Sequence, residues 1–188
     1  MAMKRPMRQK AREITDRAVL CAMLDGMDTL FLGIHDEPAP YVVPLNFGYA
    51  YGENLTFYFH CAQEGYKLEL LAANPYVCVT AAQFISYAGG SVKGHLHDFR
   101  SVIASGVASR IDPESEEFDR AHRLLLAHNH RQLMPGDAEA ARHIQLWRIV
   151  CRPEDVTAKA EIPPRCVQEV PFAPARGDGV PLDERHIL

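Results

Sequence analysis

Residues 57–75 read FYFHCAQEGYKLELLAANP, and this stretch decides the fold of the chain. Its apolar side chains alternate with others up to about His60, which predicts a β-strand. A short polar link follows, and the segment EGYKLELLAA predicts a helix. That helix ends at Asn74, because the residue before a proline is pushed out of the helical region. The stretch therefore predicts a strand, a link and a helix in succession.

Lys67 lies near the start of this predicted helix. The N-terminus of a helix carries partial positive charge, so an acidic residue is normally favoured there. A lysine at that end fits if an anion is bound, because free N–H groups and an ammonium together suit a phosphate dianion. The alternative is a solvated surface lysine that pairs with Glu64 or Glu69, or whose stem packs against a leucine.

The strand predicted upstream, YVVPLNFGYAY at residues 41–51, has two different faces. One face is apolar and predicts core contact; its members are Tyr41, Val43, Leu45, Phe47 and Tyr49. The other is small, polar and interrupted by proline; its members are Val42, Pro44, Asn46 and Gly48. Proline leaves the hydrogen-bond ladder incomplete. The second face therefore suits either a flat ligand that approaches the backbone or solvent along an edge strand.

The other predicted elements are mostly antiparallel strands, with helices between some of them. One helix starts after Thr15–Asp16 and ends at Gly26, and another begins at Asp112–Pro113 and runs to about His130. Gly106 marks a bulge or a close approach of backbones. Further strands are predicted at residues 29–35, 55–61, 76–82, 99–111 and 143–151, the last being the final strand.

These elements predict an α+β class that is mainly β, built as a small antiparallel barrel with peripheral helices. Residues 1–14 form a flexible N-terminal arm, and residues 15–159 form the barrel domain. Residues 160–188 form an extended, proline-rich tail. Residues 82–98 are predicted to be a broken strand followed by a loop.

Composition excludes several classes of partner. The chain of 188 residues is 47% hydrophobic and 23% charged, which is enough to bury a core. Its net charge of -4 gives no support for nucleic acid or an anionic membrane as a partner. No apolar run approaches the roughly 20 residues that span a bilayer. The five cysteines form no C-x-x-C pair, which favours unpaired thiols and a cytoplasmic location.

Two histidine clusters have the appearance of sites. His95, His97 and Asp98 resemble a metal-ligand triplet, but no second cluster lies at a fixed spacing, so we predict no metal site. His128 and His130 close a helix, where cationic side chains favour the C-terminal dipole. A nucleophilic pair of Cys61 and His60 is excluded, because adjacent strand residues point to opposite faces.

Three segments, VVPLNFGY, FYFHCAQEGYKLELLAANP and FRSVIASG, occur in this order. Together they resemble the FMN-binding split-barrel superfamily related to pyridoxamine 5'-phosphate oxidase, and within it most closely the nitroimidazole-resistance subgroup. The resemblance covers residues 8–153. It implies a split β-barrel that forms a homodimer, with FMN in the groove between the two protomers.

The resemblance also implies a set of cofactor-binding residues. The edge strand would run beside the isoalloxazine ring through Val43, Pro44, Leu45 and Asn46. The following strand end would reach the ribityl chain and phosphate through Phe59, His60 and Cys61. Lys67 would pair with the phosphate, and Arg100 and Ser101 would line the flavin site.

His60 is the residue for which the resemblance implies a catalytic role. As a site residue it would donate to the phosphate or ribityl oxygens, or donate a proton near the substrate side of the ring. The alternative is a histidine that is satisfied on a half-buried strand beside Thr56 and Tyr58.

The sequence departs from the oxidase in two places. Tyr66 occupies the position of an arginine that contacts phosphate, and His60 or Arg100 is a candidate replacement. The segment LWRIVCRPEDV lacks the oxidase's arginine-rich substrate motif, which argues against pyridoxamine phosphate as substrate. The resemblance therefore implies an FMN-dependent reductase that uses NAD(P)H to reduce a small electrophile such as a nitroaromatic or a quinone. The alternative is a flavin- or haem-binding sensor without rapid turnover.

Overall fold

The computed structural model describes residues 7–87, 97–132, 134, 136–137, 141 and 143–160. It contains nine strands and three α-helices in those residues, which confirms the predicted class. The helices are α1 (Arg17–Asp25), α2 (Tyr66–Ala73) and α3 (Glu116–His128). The strands are β1 (Glu13–Ile14), β2 (Leu30–Ile34), β3 (Tyr41–Leu45), β4 (Gly48–Tyr51), β5 (Leu55–Cys61), β6 (Tyr76–Tyr87), β7 (His97–Arg110), β8 (Gln145–Cys151) and β9 (Val156–Ala160).

All strand pairs are antiparallel, and the main path through the sheet is β3-β2-β6-β7-β8-β5-β4. The two ends of this path, β3 and β4, follow each other directly in the chain. β3 pairs with β2, whereas β4 pairs with β5. The barrel is thus closed at this point by the covalent chain at Asn46–Phe47 and not by a ladder of hydrogen bonds.

The prediction of a single strand at residues 41–51 is therefore wrong, because the segment forms two strands, β3 and β4. Its alternation is confirmed: Tyr41, Val43 and Leu45 pack against the core, and Phe47 and Tyr49 are buried in it. On the other face Val42 is 59% exposed, and Pro44 and Asn46 are exposed as well. The alternation continues through the break, which is why the pattern alone could not reveal it.

Gly48 does not belong to the open face. A Cβ atom at this position would lie 2.6 Å from the backbone nitrogen of Leu125. The backbone of β4 therefore packs directly against α3. Asn129, at the end of α3, donates from Nδ2 to the carbonyl oxygen of Phe47 at 3.0 Å. Together these contacts fix the break in the strand against the helix.

The structure differs from the sequence prediction at both ends of the barrel. β9 follows the strand predicted to be final and pairs with β7. It contains only five residues, mostly small, and gives a weak pattern. β1 lies inside the predicted N-terminal arm and pairs with β9, but two residues are too short to predict. Residues 161–188, which make up nearly all of the predicted tail, lie outside the described residues.

Two apolar clusters hold these elements together. The larger fills the barrel and includes α1, whose Asp16 caps the helix by accepting from the Val19 backbone at 3.0 Å. The smaller lies between α3 and the neighbouring strands, and contains Tyr58 and Phe118. Within the described part of the chain, no helix has the length and apolar character needed to cross a membrane.

The Gly48→Ala variant tests the contact between β4 and α3. We expect it to lower the free energy of unfolding by about 1–3 kcal/mol, because the new methyl group meets backbone atoms that cannot rotate away. The measurement is the midpoint of urea unfolding at unchanged slope. Gly33→Ala is the matched control, because its Cβ would meet only the Cys78 carbonyl oxygen at 3.3 Å. Equal losses in the two variants would contradict the predicted clash.

Candidate functional site

Lys67 is the second residue of α2, as the sequence predicts. Its side chain is half-buried, and Nζ lies 5.5 Å from the centroid of the Phe59 ring. No carboxylate of the described residues forms an ion pair with it, so the alternative of pairing with Glu64 or Glu69 does not occur. Burial lowers the pKa of Lys67. Lys67 thus begins α2 with its ammonium over the Phe59 ring and with no carboxylate partner among the described residues.

Arg110 is a second cation at this end of β5, and the sequence analysis missed it. It aligns with Trp147 of β8, which aligns in turn with Phe59 of β5. Burial raises the pKa of the Cys61 thiol, while Lys67 and Arg110 both act to lower it. Both cations therefore influence the same buried thiol. No sequence motif could reveal this, since the sheet brings Arg110 to the site from a distant part of the chain.

Tyr66 does not take part in this cationic group. Its hydroxyl donates to the carboxylate of Asp36 at 2.9 Å, and its ring packs edge-on against Tyr41 at 5.6 Å between centroids. The side chain is thus held towards the link between β2 and β3. The Tyr66 side chain is therefore engaged by Asp36 and Tyr41, whereas Lys67 is not.

His60 lies at the end of β5 with an exposed side chain. Its pKa is lowered, first by desolvation and second by the charge of Lys67. The imidazole is therefore predominantly neutral at pH 7, with one ring nitrogen as donor and the other as acceptor. This protonation state suits hydrogen bonding to a ligand.

Asn46 and His60 line a common cavity of about 490 Å³ beside α3. Among the described residues, the Asn46 side chain makes one long hydrogen bond, from Nδ2 to the carbonyl oxygen of Asp28 at 3.4 Å. His122 of α3 also lines the cavity, and no sequence motif singles it out. The other lining residues are Leu125, Leu126, Asn129, Arg131, Asp137, Ala141 and Ile144.

Arg100 and Ser101 lie apart from this group. Arg100 is 2% exposed and shares the inner face of β7 with Val102 and Ala104. Ser101 points to the outer face, is 8% exposed, and its Oγ has no hydrogen-bond partner in the described residues. Val102 aligns with Leu45 through two intervening strands, a separation of about 14 Å at the usual strand spacing. Within one chain, Asn46, the end of β5 and Lys67 therefore lie in one region, whereas Arg100 and Ser101 lie outside it.

Another cavity, of about 720 Å³, contains none of the predicted site residues. It is mostly apolar and lies against β6 and β7 near Cys78 and Gly106. A Cβ at Gly106 would lie 2.6 Å from the Val150 carbonyl oxygen, which confirms the predicted close backbone approach. Two predicted site residues, Asn46 and His60, line the smaller cavity instead, and we place the candidate site at that cavity and the adjoining end of β5.

The remaining histidines fall outside the candidate site or outside the described side chains. His128 is 5% exposed, and its Nε2 lies 2.9 Å from the carbonyl oxygen of Met27, so it is a structural residue. The predicted pair His95 and His97 lies where no side chain is described. Among the described residues, no group of three or more potential ligands has the arrangement of a metal site.

The model of the family described as pyridoxamine 5'-phosphate oxidase matches residues 16–160. No curated protein sequence matches the chain significantly. A solved structure of a candidate 5-nitroimidazole antibiotic resistance protein from Bacteroides thetaiotaomicron is similar at 29% identity and a TM-score of 0.63, covering 79% of this chain and 86% of that one.

Two more distant structures share the fold. A FAD-binding protein from Mesorhizobium loti has 23% identity and a TM-score of 0.55, with 80% of this chain and 98% of that one covered. A FAD and heme binding protein from Mycobacterium smegmatis has 14% identity and a TM-score of 0.60, with coverages of 79% and 73%.

Titration of His60 by NMR tests the electrostatics of the site. We expect its pKa to lie below the ordinary value of 6.5, and Lys67→Met to raise it, because the variant removes a repulsive charge. Since the folded chain binds this proton less readily than the unfolded chain, His60 also contributes to a loss of stability as the pH falls below about 6.5. Lys10→Met, at an exposed lysine, is the matched control. An unchanged His60 titration in Lys67→Met would show that the two groups do not interact.

Proposed function

Because the chain belongs to the pyridoxamine 5'-phosphate oxidase family, we propose that it binds FMN and uses it to reduce small electrophiles such as nitroaromatics with electrons from NAD(P)H. The observation that carries this proposal is Lys67, a half-buried ammonium at the start of α2 that has no carboxylate partner within the part of the chain that the structure describes. The similarity to a candidate nitroimidazole resistance protein supports the substrate class.

The residues of the site fit the phosphate of FMN. Lys67 and the N–H groups of α2 would hold it, and Arg110 would supply the second cation that Tyr66 cannot supply. The backbone groups of β3 that pair with no described strand would contact the ring. Pro44 has no N–H group, so the hydrogen bonding of β3 is already incomplete. Ser101 would contribute its buried Oγ, which lacks a hydrogen-bond partner in the described residues.

A homodimer would complete the site. The outer face of the sheet formed by β3, β2, β6 and β7 exposes large apolar side chains: Phe31, Val42, Tyr76, Phe84, Ile103 and Val107. A contiguous apolar surface of this kind typically marks an interface. Ser101 lies on the same face, remote from Lys67 of its own chain. Association through this face would bring groups from a second copy to the flavin.

When bound, FMN would accept two electrons from NAD(P)H and pass them to the substrate. For a nitro group the overall balance is one NAD(P)H and one proton consumed, with a nitroso group, NAD(P)⁺ and water formed. The protein's part is to hold the phosphate through Lys67, to position the ring along β3, and to present the neutral His60 as a hydrogen-bond donor to the substrate.

Pyridoxamine phosphate is not the proposed substrate. The segment LWRIVCRPEDV stands where the oxidase has its arginine-rich substrate motif. It contains two arginines, and both form ion pairs with carboxylates. Arg148 forms an ion pair with Glu117, and Arg152 pairs with Glu154 at 3.2 Å and Asp155 at 2.7 Å. These guanidinium groups are therefore committed within the chain.

A second candidate function is a flavin- or haem-binding protein without rapid turnover. It is favoured by the two imidazoles that line the cavity, since a neutral imidazole is a common axial ligand of haem iron.

We also propose the reducing, cytoplasmic location predicted from the sequence, because Cys21, Cys61, Cys78 and Cys151 are all unpaired.

The visible spectrum of the purified protein separates these functions. We expect a yellow protein with flavin absorption that is bleached by NADPH without oxygen and restored by 2-nitroimidazole. Flavin that is bound but never bleached would favour the sensor, and an intense Soret band would favour haem. A colourless protein that binds no FMN at micromolar concentration would contradict the proposed function.

The Lys67→Ala variant tests the phosphate contact. We expect FMN to bind at least tenfold more weakly, because a lost hydrogen bond to a charged group costs roughly 1.5–3 kcal/mol. Arg110→Ala should weaken binding to a smaller extent, because that side chain is exposed. Affinity is measured by quenching of flavin fluorescence, with Lys10→Ala as the matched control. Unchanged affinity in Lys67→Ala would remove the phosphate assignment.

A further inference from the structure

The cavity beside α3 contains two histidines from different parts of the fold. His60 comes from the end of β5, and His122 comes from α3. The pKa of His122 is lowered first by desolvation, and the charge of His60 lowers it further. Asp137 and Asp119 act in the opposite direction, and Arg131 acts with His60. The two imidazoles are thus close enough to interact, and both are predominantly neutral at pH 7.

Neither imidazole has a hydrogen-bond partner among the described residues, whereas a third histidine nearby does. His128 lies on the same helix, with Nε2 2.9 Å from the Met27 carbonyl oxygen and its ring 4.3 Å from that of Phe47. His128 is therefore committed to the structure. His60, which is exposed, and His122, which is half-buried, therefore keep their ring nitrogens available at the cavity surface.

The rest of the cavity is suited to an uncharged ring. Its apolar wall consists of Leu125, Leu126, Ala141 and Ile144. Its two charged residues form an ion pair, in which the Arg131 guanidinium lies 3.9 Å from the Asp137 carboxylate. Their charges therefore largely cancel. A volume of about 490 Å³ is in the range of sites that hold small molecules. The cavity thus combines one apolar wall with two neutral donor-acceptor groups.

We propose that this cavity binds the substrate of the proposed flavin reductase, and that His122 acts with His60 to hold the oxygen atoms of a small, uncharged aromatic electrophile. The class includes nitroaromatics, whose flat rings fit the apolar wall and whose nitro oxygens accept from imidazole N–H groups. The proposal rests on the proposed function, because Asn46 lies at the boundary between the cavity and the edge strand assigned to the flavin. His122 is then a substrate-binding residue, separate from the groups that hold FMN.

The test uses the full-length protein loaded with FMN, with His122→Leu, His122→Gln and the control His35→Leu at an exposed position. In His122→Leu we expect FMN affinity within twofold of the unaltered protein and KM for 2-nitroimidazole raised at least tenfold, with a smaller change in kcat. His122→Gln should recover part of the loss, because an amide also donates a hydrogen bond. An unchanged KM in His122→Leu, or a parallel loss of FMN affinity, would overturn the proposal.

A second measurement separates this proposal from the proposed function and needs no variant to fold. In the flavin-free protein, 2-nitroimidazole should shift the NMR resonances of His122 and His60 and leave those of His35 unchanged. Such shifts would support the cavity even in a protein that failed to bind FMN. Their absence at millimolar ligand would overturn the assignment of the cavity, whatever the flavin affinity.

Discussion

The contact between the backbone of β4 and α3 is the constraint on which the site depends. Gly48 leaves room for the backbone of Leu124 and Leu125, and Asn129 holds the carbonyl oxygen of Phe47 at the end of the same helix. The helix therefore packs where the barrel is split. This arrangement places one face of α3 opposite the end of β5, and so brings His122 and His60 to one cavity.

The split explains why binding groups collect at this corner of the barrel. The chain leaves β3 at Asn46 and joins β4 on the far side of the opening, so the outer edge of β3 keeps backbone groups that pair with none of the nine described strands. Lys67 adds a positive charge at the start of α2, where the helix N–H groups already favour an anion. A flavin with its phosphate at α2 and its ring along β3 would use both features.

Much of this architecture could be predicted from the sequence, because it depends on local patterns. Alternation and the Asn74–Pro75 stop predicted the strand and the helix, and the structure has both elements there. The anion site at Lys67 stays a prediction. The break at Asn46–Phe47 was hidden because alternation runs through it. Arg110 and His122 could not be found in this way, since only strand pairing and helix packing bring them to β5. The roles of the candidate site residues remain predictions.

The residues that α3 contributes to the cavity are His122, Leu125, Leu126 and Asn129, which follow the spacing of one helical face. His122 and Leu126 lie outside the two apolar clusters, whereas Leu125 packs in the smaller one and Asn129 holds Phe47 in place. A change of ligand preference therefore does not require the barrel to be rebuilt. Exchanging a few side chains on one stripe of a single helix would be enough to make a family of proteins with the same flavin half and different selectivities.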